Sequence, residues 1–248
     1  HNDRRQLITC KHSATHLLHE ALRAVLGDHV EQRGSLVDEE RFRFDFSHDS
    51  AVTDDEIRQV EYIVNEEILK NKEVVTNSMS MEEAKSKGAK ALFGEKYGDV
   101  VRVVNIGDDF SVELCGGTHV SRTGEIGLVK VAVETSVAAG IRRIESYSGM
   151  KAVNLCNEQQ DQITAISGVI KGSKGDLSSR IQNLLDENKS LHREIKNLKQ
   201  QLASSAGSDL MEGLQELNGI SVLTKIIDDN DVSNVRAIAD QVRGKLTN

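Results

Sequence analysis

Two short clusters of side chains in this chain are suited to binding a metal ion. His12 and His16 are one helical turn apart, and Cys115 and His119 lie four positions apart much later in the chain. Three imidazoles and one thiolate are a ligand set that zinc favours at four-coordinate sites. Either pair alone is weak evidence, but the two pairs together predict a zinc site.

The first cluster falls on a predicted amphipathic helix, segment 11–26, KHSATHLLHEALRAVL. Because each residue turns a helix by ~100°, His12, His16 and His19 fall within roughly a 60° arc, away from the apolar face. A single histidine in such a place is more often a packed or solvated side chain than a ligand, and only the second cluster changes that balance. The apolar face consists of Ala14, Leu17, Leu18, Ala21 and Val25.

The second cluster follows a β-type segment in VELCGGTHV. Gly116 and Gly117 let the backbone turn tightly enough for Cys115 and His119 to converge on one ion, and they leave room for a ligand against the backbone. Four protein ligands usually form a closed structural site, whereas catalysis normally needs a position open to water or substrate. The residues alone leave structural and catalytic zinc both open.

The elements around these clusters predict an α+β domain with packed helices and a mixed, largely antiparallel sheet. Segments 29–37 and 41–46 predict a hairpin, and the second of them alternates Phe42, Phe44 and Phe46 with polar residues. The metal cluster is expected where the first helix meets the sheet.

Two capping signatures and four further strand patterns complete this domain. Thr53 with Glu56 predicts the start of a helix that runs to about residue 70, and Ser80 with Glu83 predicts a shorter helix. The further strands are predicted at 100–104, 110–114, 128–133 and 141–146.

Beyond Met150 the pattern changes to long helices. Apolar residues with a 4,3,4,3 spacing run from Leu177 to Leu202 and predict a coiled-coil seam, with Asn188 at an a position either fixing register or tolerated at a wet seam. A break at 172–175 allows an antiparallel hairpin within one chain, and a parallel homodimer is the competing arrangement. Segment 203–209 predicts a linker, and one partial β-α unit follows it, with a strand at 219–227 and a helix at 232–246.

Composition narrows the class of protein. The chain has 248 residues, 38% of them hydrophobic, and a formal net charge of −8. This charge argues against a globally basic nucleic-acid binder, although a local basic patch suffices for phosphate contacts. No run of ~18 apolar residues could span a membrane, so no membrane partner is expected. The three cysteines lack disulfide-like spacing, which is typical of the cytoplasm.

Four segments in this order resemble the editing domain of bacterial alanyl-tRNA synthetases: HSATHLLHEALR, HVEQRGSLVDEERFRFDFSH, CGGTHV and AAGIRRIES. The resemblance covers essentially residues 1–150, and the remainder resembles that family's helical linker and the opening of its C-terminal domain. It implies an editing domain at 1–150, a helical hairpin or coiled coil at 151–205, and a truncated start of the C-terminal domain at 206–248.

The resemblance also implies a function and a cofactor. The family's editing domain hydrolyses the ester that joins wrongly attached serine or glycine to the alanine tRNA, with zinc beside the aminoacyl end. The implied partner is mischarged alanine tRNA, and self-association through the helical region is a further expectation. The ATP-dependent charging module of the family would lie upstream of these residues.

Gln32 matches the family's glutamine in VEQRGS, where it would read the serine hydroxyl or orient water. Without that motif, an exposed strand glutamine is the simpler interpretation. Thr15 and Thr118, each one residue before a ligand histidine, are candidate pocket-lining hydroxyls or ordinary helix and turn residues.

Further substrate or tRNA contacts are expected from Gly116, Gly117, Arg142 and Arg143. Alternation along a strand would aim the two arginines to opposite faces. Two other functions remain open: a free-standing trans-editing deacylase, and a zinc-stabilised tRNA-binding or dimerisation module without activity.

Overall fold

The computed structural model describes residues 2–91, 98–209, 214–224, 235–236, 239–240 and 243–244. The chain divides into two units, His1–Gln162 and Ile163–Asn248. The helices are α1 (Asn2–Leu26), α2 (Asp54–Leu69), α3 (Met81–Ser86), α4 (Met150–Ile170) and α5 (Leu177–Asp209). The strands are β1 (Gln32–Val37), β2 (Phe42–Ser47), β3 (Val74–Ser80), β4 (Val100–Ile106), β5 (Ser111–Leu114), β6 (Val129–Ala138), β7 (Ile141–Ser148), β8 (Gln215–Leu217) and β9 (Ile220–Val222).

The first unit is α+β with antiparallel sheets, but it contains two sheets where the sequence predicted one. A four-stranded sheet has the order β1-β2-β7-β6, and a three-stranded sheet has the order β3-β4-β5. Strand β3 was not predicted from the sequence. Its side chains are mostly exposed and only Met79 is buried, so it carries no clear hydrophobic alternation.

The predicted hairpin is confirmed as β1 paired antiparallel with β2. Phe42, Phe44 and Phe46 are fully buried on one face of β2, as the alternation predicted. This face packs beneath α1, which also contacts α2. The resulting core holds α1 rigidly against the sheet, and this fixes the positions of the histidines on α1.

Replacing Phe44 by alanine should lower the free energy of unfolding of the first unit by about 3–5 kcal/mol, because a fully buried aromatic ring leaves a cavity. Urea unfolding followed through amide NMR signals of β2 measures this loss. Tyr62, which is 70% exposed, provides the control. A Phe44→Ala variant as stable as Tyr62→Ala would contradict the packing described above.

Helix α1 is longer than predicted and is buried on more than one side. It begins at Asn2 rather than near residue 11. The expected imidazole face is not a solvent face: His16 and His19 are each only 5% exposed. Glu113 on β5 accepts hydrogen bonds from both rings, and the His19 ring also lies 5.1 Å from that of Phe44 on β2.

The two capping signatures begin helices where the sequence placed them. Thr53 and Glu56 form a reciprocal capping box at the start of α2. At α3, the Ser80 hydroxyl accepts a hydrogen bond from the backbone N–H of Glu83. These local signals depend on neighbouring residues only, which is why the sequence reveals them.

In the second unit, α5 continues through residues 203–209, where the sequence predicted a linker. The apolar seam residues from Ile181 to Leu202 remain exposed in the single chain, from 39% for Ile181 to 69% for Leu202, whereas Leu177 is half-buried. A hairpin that buries this seam within one chain is therefore not observed in the described residues. Coiled-coil pairing with a second chain stays a prediction.

Near the C-terminal end, β8 and β9 form a two-stranded antiparallel hairpin. The sequence predicted a single strand at 219–227 followed by a helix at 232–246. Residues 225–234 of that β-α unit lie outside the described residues, and the described pairs 235–236, 239–240 and 243–244 are helical. Among the described residues, no helix is long and apolar enough to cross a membrane.

Candidate metal centre

The structure brings the two predicted clusters together. Helix α1 supplies His12 and His16, and the segment that leaves β5 supplies Cys115 and His119. One donor atom from each of these four residues lies within 4.8 Å of the others. The imidazole centroids are 4.6–5.3 Å apart. Four donors at this separation can hold one metal ion, so the set predicted from the spacing is assembled in three dimensions.

The three imidazoles of this set share a hydrogen-bonding arrangement. Each has its Nδ1 atom beside a polar group of the protein, which leaves Nε2 for another partner. A carbonyl or an ionised carboxylate can only accept, so Nδ1 must carry the proton in two of the rings. The Nδ1 partners are the Thr118 carbonyl for His12, at 3.3 Å, the Glu113 carboxylate for His16, and the Ser13 hydroxyl for His119, at 3.2 Å.

The Nε2 atoms then decide whether the set suits a metal. Those of His16 and His119 are buried and have no hydrogen-bond partner among the described residues. The third, on His12, lies 3.5 Å from Cys115 Sγ. Buried polar atoms normally have partners, so two unpartnered nitrogens in one cluster leave two donor atoms free to bind a metal ion. The donor set therefore fits a metal ion of the zinc type.

Electrostatics favours a thiolate in this cluster. Burial opposes ionisation of Cys115, but the three imidazoles that surround its sulfur outweigh this effect and lower the pKa of its thiol to about 3. Burial also opposes charge on His16, but the Glu113 carboxylate outweighs it and raises the pKa of His16 to about 10. Near neutral pH a cation held here would be bound by Cys115 as a thiolate, and His16 would have to give up a proton to serve as a ligand.

Gly117 makes the close approach of the two clusters possible. A Cβ atom built at this position would overlap the imidazole ring of His12. At Gly116 the same construction meets nothing within 4 Å. The two glycines thus have different roles: one makes room for a candidate ligand, whereas the other leaves open space beside the site.

Glu113 is a site residue that the sequence analysis missed. It lies on β5 and is only 1% exposed. One oxygen of its carboxylate accepts from Nδ1 of His16, and the other accepts from Nδ1 of His19 at 2.7 Å. The available signal was an acidic residue two positions before Cys115, on the same face of a strand.

Gln32 is half-buried at the start of β1, and its amide lies 3.4 Å from the Ser35 hydroxyl. It lines a pocket of about 290 Å³ together with His19, Arg23 and Lys90. The described lining of this pocket includes none of the four candidate ligands. Gln32 thus borders a cavity that His19 also lines, and its catalytic role stays a prediction.

The two threonines have different surroundings. Thr15 is buried, and its hydroxyl donates to the Lys11 carbonyl one turn earlier in α1. Thr118 is exposed, and its hydroxyl lies 3.2 Å from that of Thr9. The contact at Thr15 is that of an ordinary helix residue. Thr118 contributes to the cluster through its carbonyl, which orients His12.

Arg142 and Arg143 lie on opposite faces of β7, as alternation predicts. Arg142 makes a two-point ion pair with Glu134, and Arg143 makes one with Asp45. Phosphate binding at either position would compete with these pairs. Their contact with tRNA stays a prediction.

Comparison with known proteins identifies the chain's relatives. Residues 101–145 match the threonyl and alanyl tRNA synthetase second additional domain. The chain is 49% identical over 244 residues to the alanine–tRNA ligase of Colwellia psychrerythraea and 47% identical over 242 residues to that of Saccharophagus degradans. Each match covers 98% of this chain and 28% of the relative, so the chain spans just over a quarter of the length of these curated relatives. By sequence, the chain is similar to a segment of these alanine–tRNA ligases, and part of it matches the second additional domain.

Proposed function

We propose that this chain is the editing part of an alanine–tRNA ligase and that it hydrolyses the ester bond of mischarged seryl- and glycyl-tRNA of the alanine family. The observation that carries the proposal is the convergence of His12, His16, Cys115 and His119, with two buried Nε2 atoms left unpartnered. The similarity to alanine–tRNA ligases supports tRNA as the partner.

The chemistry of the amino acids explains why such a site is needed. Alanine, glycine and serine differ by a methyl or a hydroxyl group. A small binding pocket rejects such analogues by only ~10- to 200-fold, so a second hydrolytic site is the available remedy. Attachment of alanine with ATP would belong to parts of the ligase that precede this segment.

Zinc is the proposed cofactor, and it would supply positive charge beside the scissile ester. The residues of this chain would hold the ion and orient its ligands. The Thr118 carbonyl and the Glu113 carboxylate keep the protons of His12 and His16 on Nδ1, so that Nε2 of each ring can act as a ligand. Gln32 is the proposed residue for reading the serine hydroxyl or orienting water.

The proposed division of the chain follows the same family. Residues 1–150 would form the editing domain, residues 151–205 a helical linker capable of self-association, and residues 206–248 the start of the C-terminal domain. The proposed location is the cytoplasm, where tRNA charging takes place.

A second candidate function is a zinc-stabilised tRNA-binding module without activity. Two observations favour it: the cluster offers four protein donors, the number that usually closes a structural zinc site, and Cys115 is only 7% exposed. Hydrolysis by the isolated chain separates the two candidates.

A free-standing trans-editing protein is not favoured, because the relatives reported above are ligases more than three times as long as this segment.

We expect the purified chain to release serine from seryl-tRNA of the alanine family while leaving alanyl-tRNA intact. Gln32→Ala should reduce the preference for serine over alanine by roughly 10-fold or more, because a recognition contact is lost, while one zinc per chain remains bound. Release of labelled amino acid from both tRNAs measures this preference. Unchanged preference in the variant would remove Gln32 from the site.

Salt provides an independent check of tRNA contact. At subsaturating tRNA the rate of deacylation should fall as the salt concentration rises. Contacts with phosphates release counterions when they form, so high salt opposes tRNA binding. Arg58→Ala serves as a control and should show the same salt dependence as the wild type, since Arg58 lies on the exposed surface of α2 and pairs with Asp55. Absence of hydrolysis by folded, zinc-loaded protein would favour the binding module.

A further inference from the structure

Glu113 occupies an unusual position for a carboxylate. It is almost completely buried, and its two oxygens are used by two different imidazoles, those of His16 and His19. A buried charge is costly unless it is paired and hydrogen-bonded. Both contacts connect β5 to the same helix, α1, so the carboxylate joins the two elements that supply the candidate ligands.

His16 differs from the other candidate ligands in its Nδ1 partner. The rings of His12 and His119 meet a carbonyl and a hydroxyl, whereas that of His16 meets a carboxylate. A carboxylate on Nδ1 fixes the tautomer and the ring orientation, and it makes Nε2 a better donor. Nε2 of His16 is buried and unpartnered among the described residues, and His16 is one of the four residues of the donor group.

We propose that Glu113 is a positioning residue of the metal centre, which holds the proton of His16 on Nδ1 and thereby aims Nε2 at the ion. His19 is its anchor: by donating Nδ1–H to the second oxygen, it keeps the first oxygen turned toward His16. His19 then acts through Glu113 and is not a ligand. The proposal rests on the metal centre of the proposed function and adds two residues to it.

An alternative use of the same residues is a second cation site formed by His19, Glu20 and Glu113, whose donor atoms also lie close together. The contacts argue against it. Both oxygens of Glu113 are taken by imidazoles, and Glu20 forms an ion pair with Lys90. The proposal therefore predicts one ion per chain.

The test measures zinc affinity by competition with a chromophoric chelator. Glu113→Ala should bind zinc about 10- to 100-fold more weakly than the wild type. Glu113→Gln, whose amide oxygen can still accept from His16, should recover most of that loss. Glu61→Ala is the matched control, since Glu61 is a buried carboxylate that is hydrogen-bonded to Lys130 and to the backbone of Val131. The zinc affinity of Glu61→Ala should equal that of the wild type.

A second readout addresses the tautomer directly. Long-range proton–nitrogen NMR of the zinc-loaded wild type should show His16 protonated on Nδ1, and Glu113→Ala should shift or broaden that signal. His19→Ala should lower the zinc affinity several-fold, yet the variant should still bind one ion per chain. Wild-type affinity in Glu113→Ala, an equal loss in Glu61→Ala, or loss of the ion in His19→Ala would overturn the proposal.

These measurements use zinc and no tRNA, so they separate the two proposals. A wild-type chain that binds zinc and depends on Glu113 but hydrolyses nothing would reject the editing function and leave the positioning role intact. A folded wild-type chain that binds no zinc would reject the positioning role.

Discussion

Replacing Cys115 and His119 together by alanine should reduce bound zinc from about one ion per chain to less than about a tenth, and abolish deacylation with it. The double variant removes the thiolate and one imidazole, so only the helix pair His12 and His16 remains. Two donors do not complete the four-coordinate site that zinc favours. Elemental analysis after gel filtration measures the stoichiometry.

The matched control is the double variant Cys156→Ala, His192→Ala, which removes the same residue types from α4 and α5. It should keep one zinc per chain and wild-type hydrolysis. Because metal binding can contribute to folding, circular dichroism should accompany each measurement. Full zinc retention in the Cys115, His119 variant would show that these residues are not the ligands.

Replacing Gly117 by alanine should lower the zinc affinity by on the order of 10- to 100-fold, which is the size of effect expected when a ligand is misoriented. The added methyl group would occupy the space of the His12 ring, so the ring must move away from the cluster. Neither Gly117 nor Gly116 has a positive φ, so backbone strain does not account for the effect.

Gly116→Ala is the control for this prediction, since its added methyl group meets nothing within 4 Å. Its zinc affinity should stay within about threefold of the wild type, as expected for a substitution away from packed features. Chelator competition on both variants gives the comparison. Equal affinities in the two variants would contradict the role assigned to Gly117.

The features that the sequence predicted depend mainly on local patterns. Phe42, Phe44 and Phe46 alternate, so their common buried face follows from strand geometry. The capping box at Thr53 involves residues three positions apart. The four candidate ligands were found because their types are restrictive, although their convergence depends on contacts between α1 and the end of β5.

What the sequence did not reveal depends on contacts between distant segments. The burial of His16 and His19 comes from packing against β5, and Glu113 becomes a site residue only when that strand meets α1. Nothing local predicts that Arg142 pairs with Glu134, because this pairing depends on the register of β6 and β7, which contains bulges. The edge strand β3 lacks a buried face, so its sequence shows no alternation of hydrophobic and polar residues.

The most direct test of a metal-dependent editing site is serine release from seryl-tRNA by the zinc-loaded chain, by the chain stripped with a chelator, and by the stripped chain after zinc is restored. We expect hydrolysis in the first sample, a loss of at least about 100-fold in the second, because metal-assisted chemistry is removed, and recovery in the third. Hydrolysis that is unaffected by removal of the metal would contradict it.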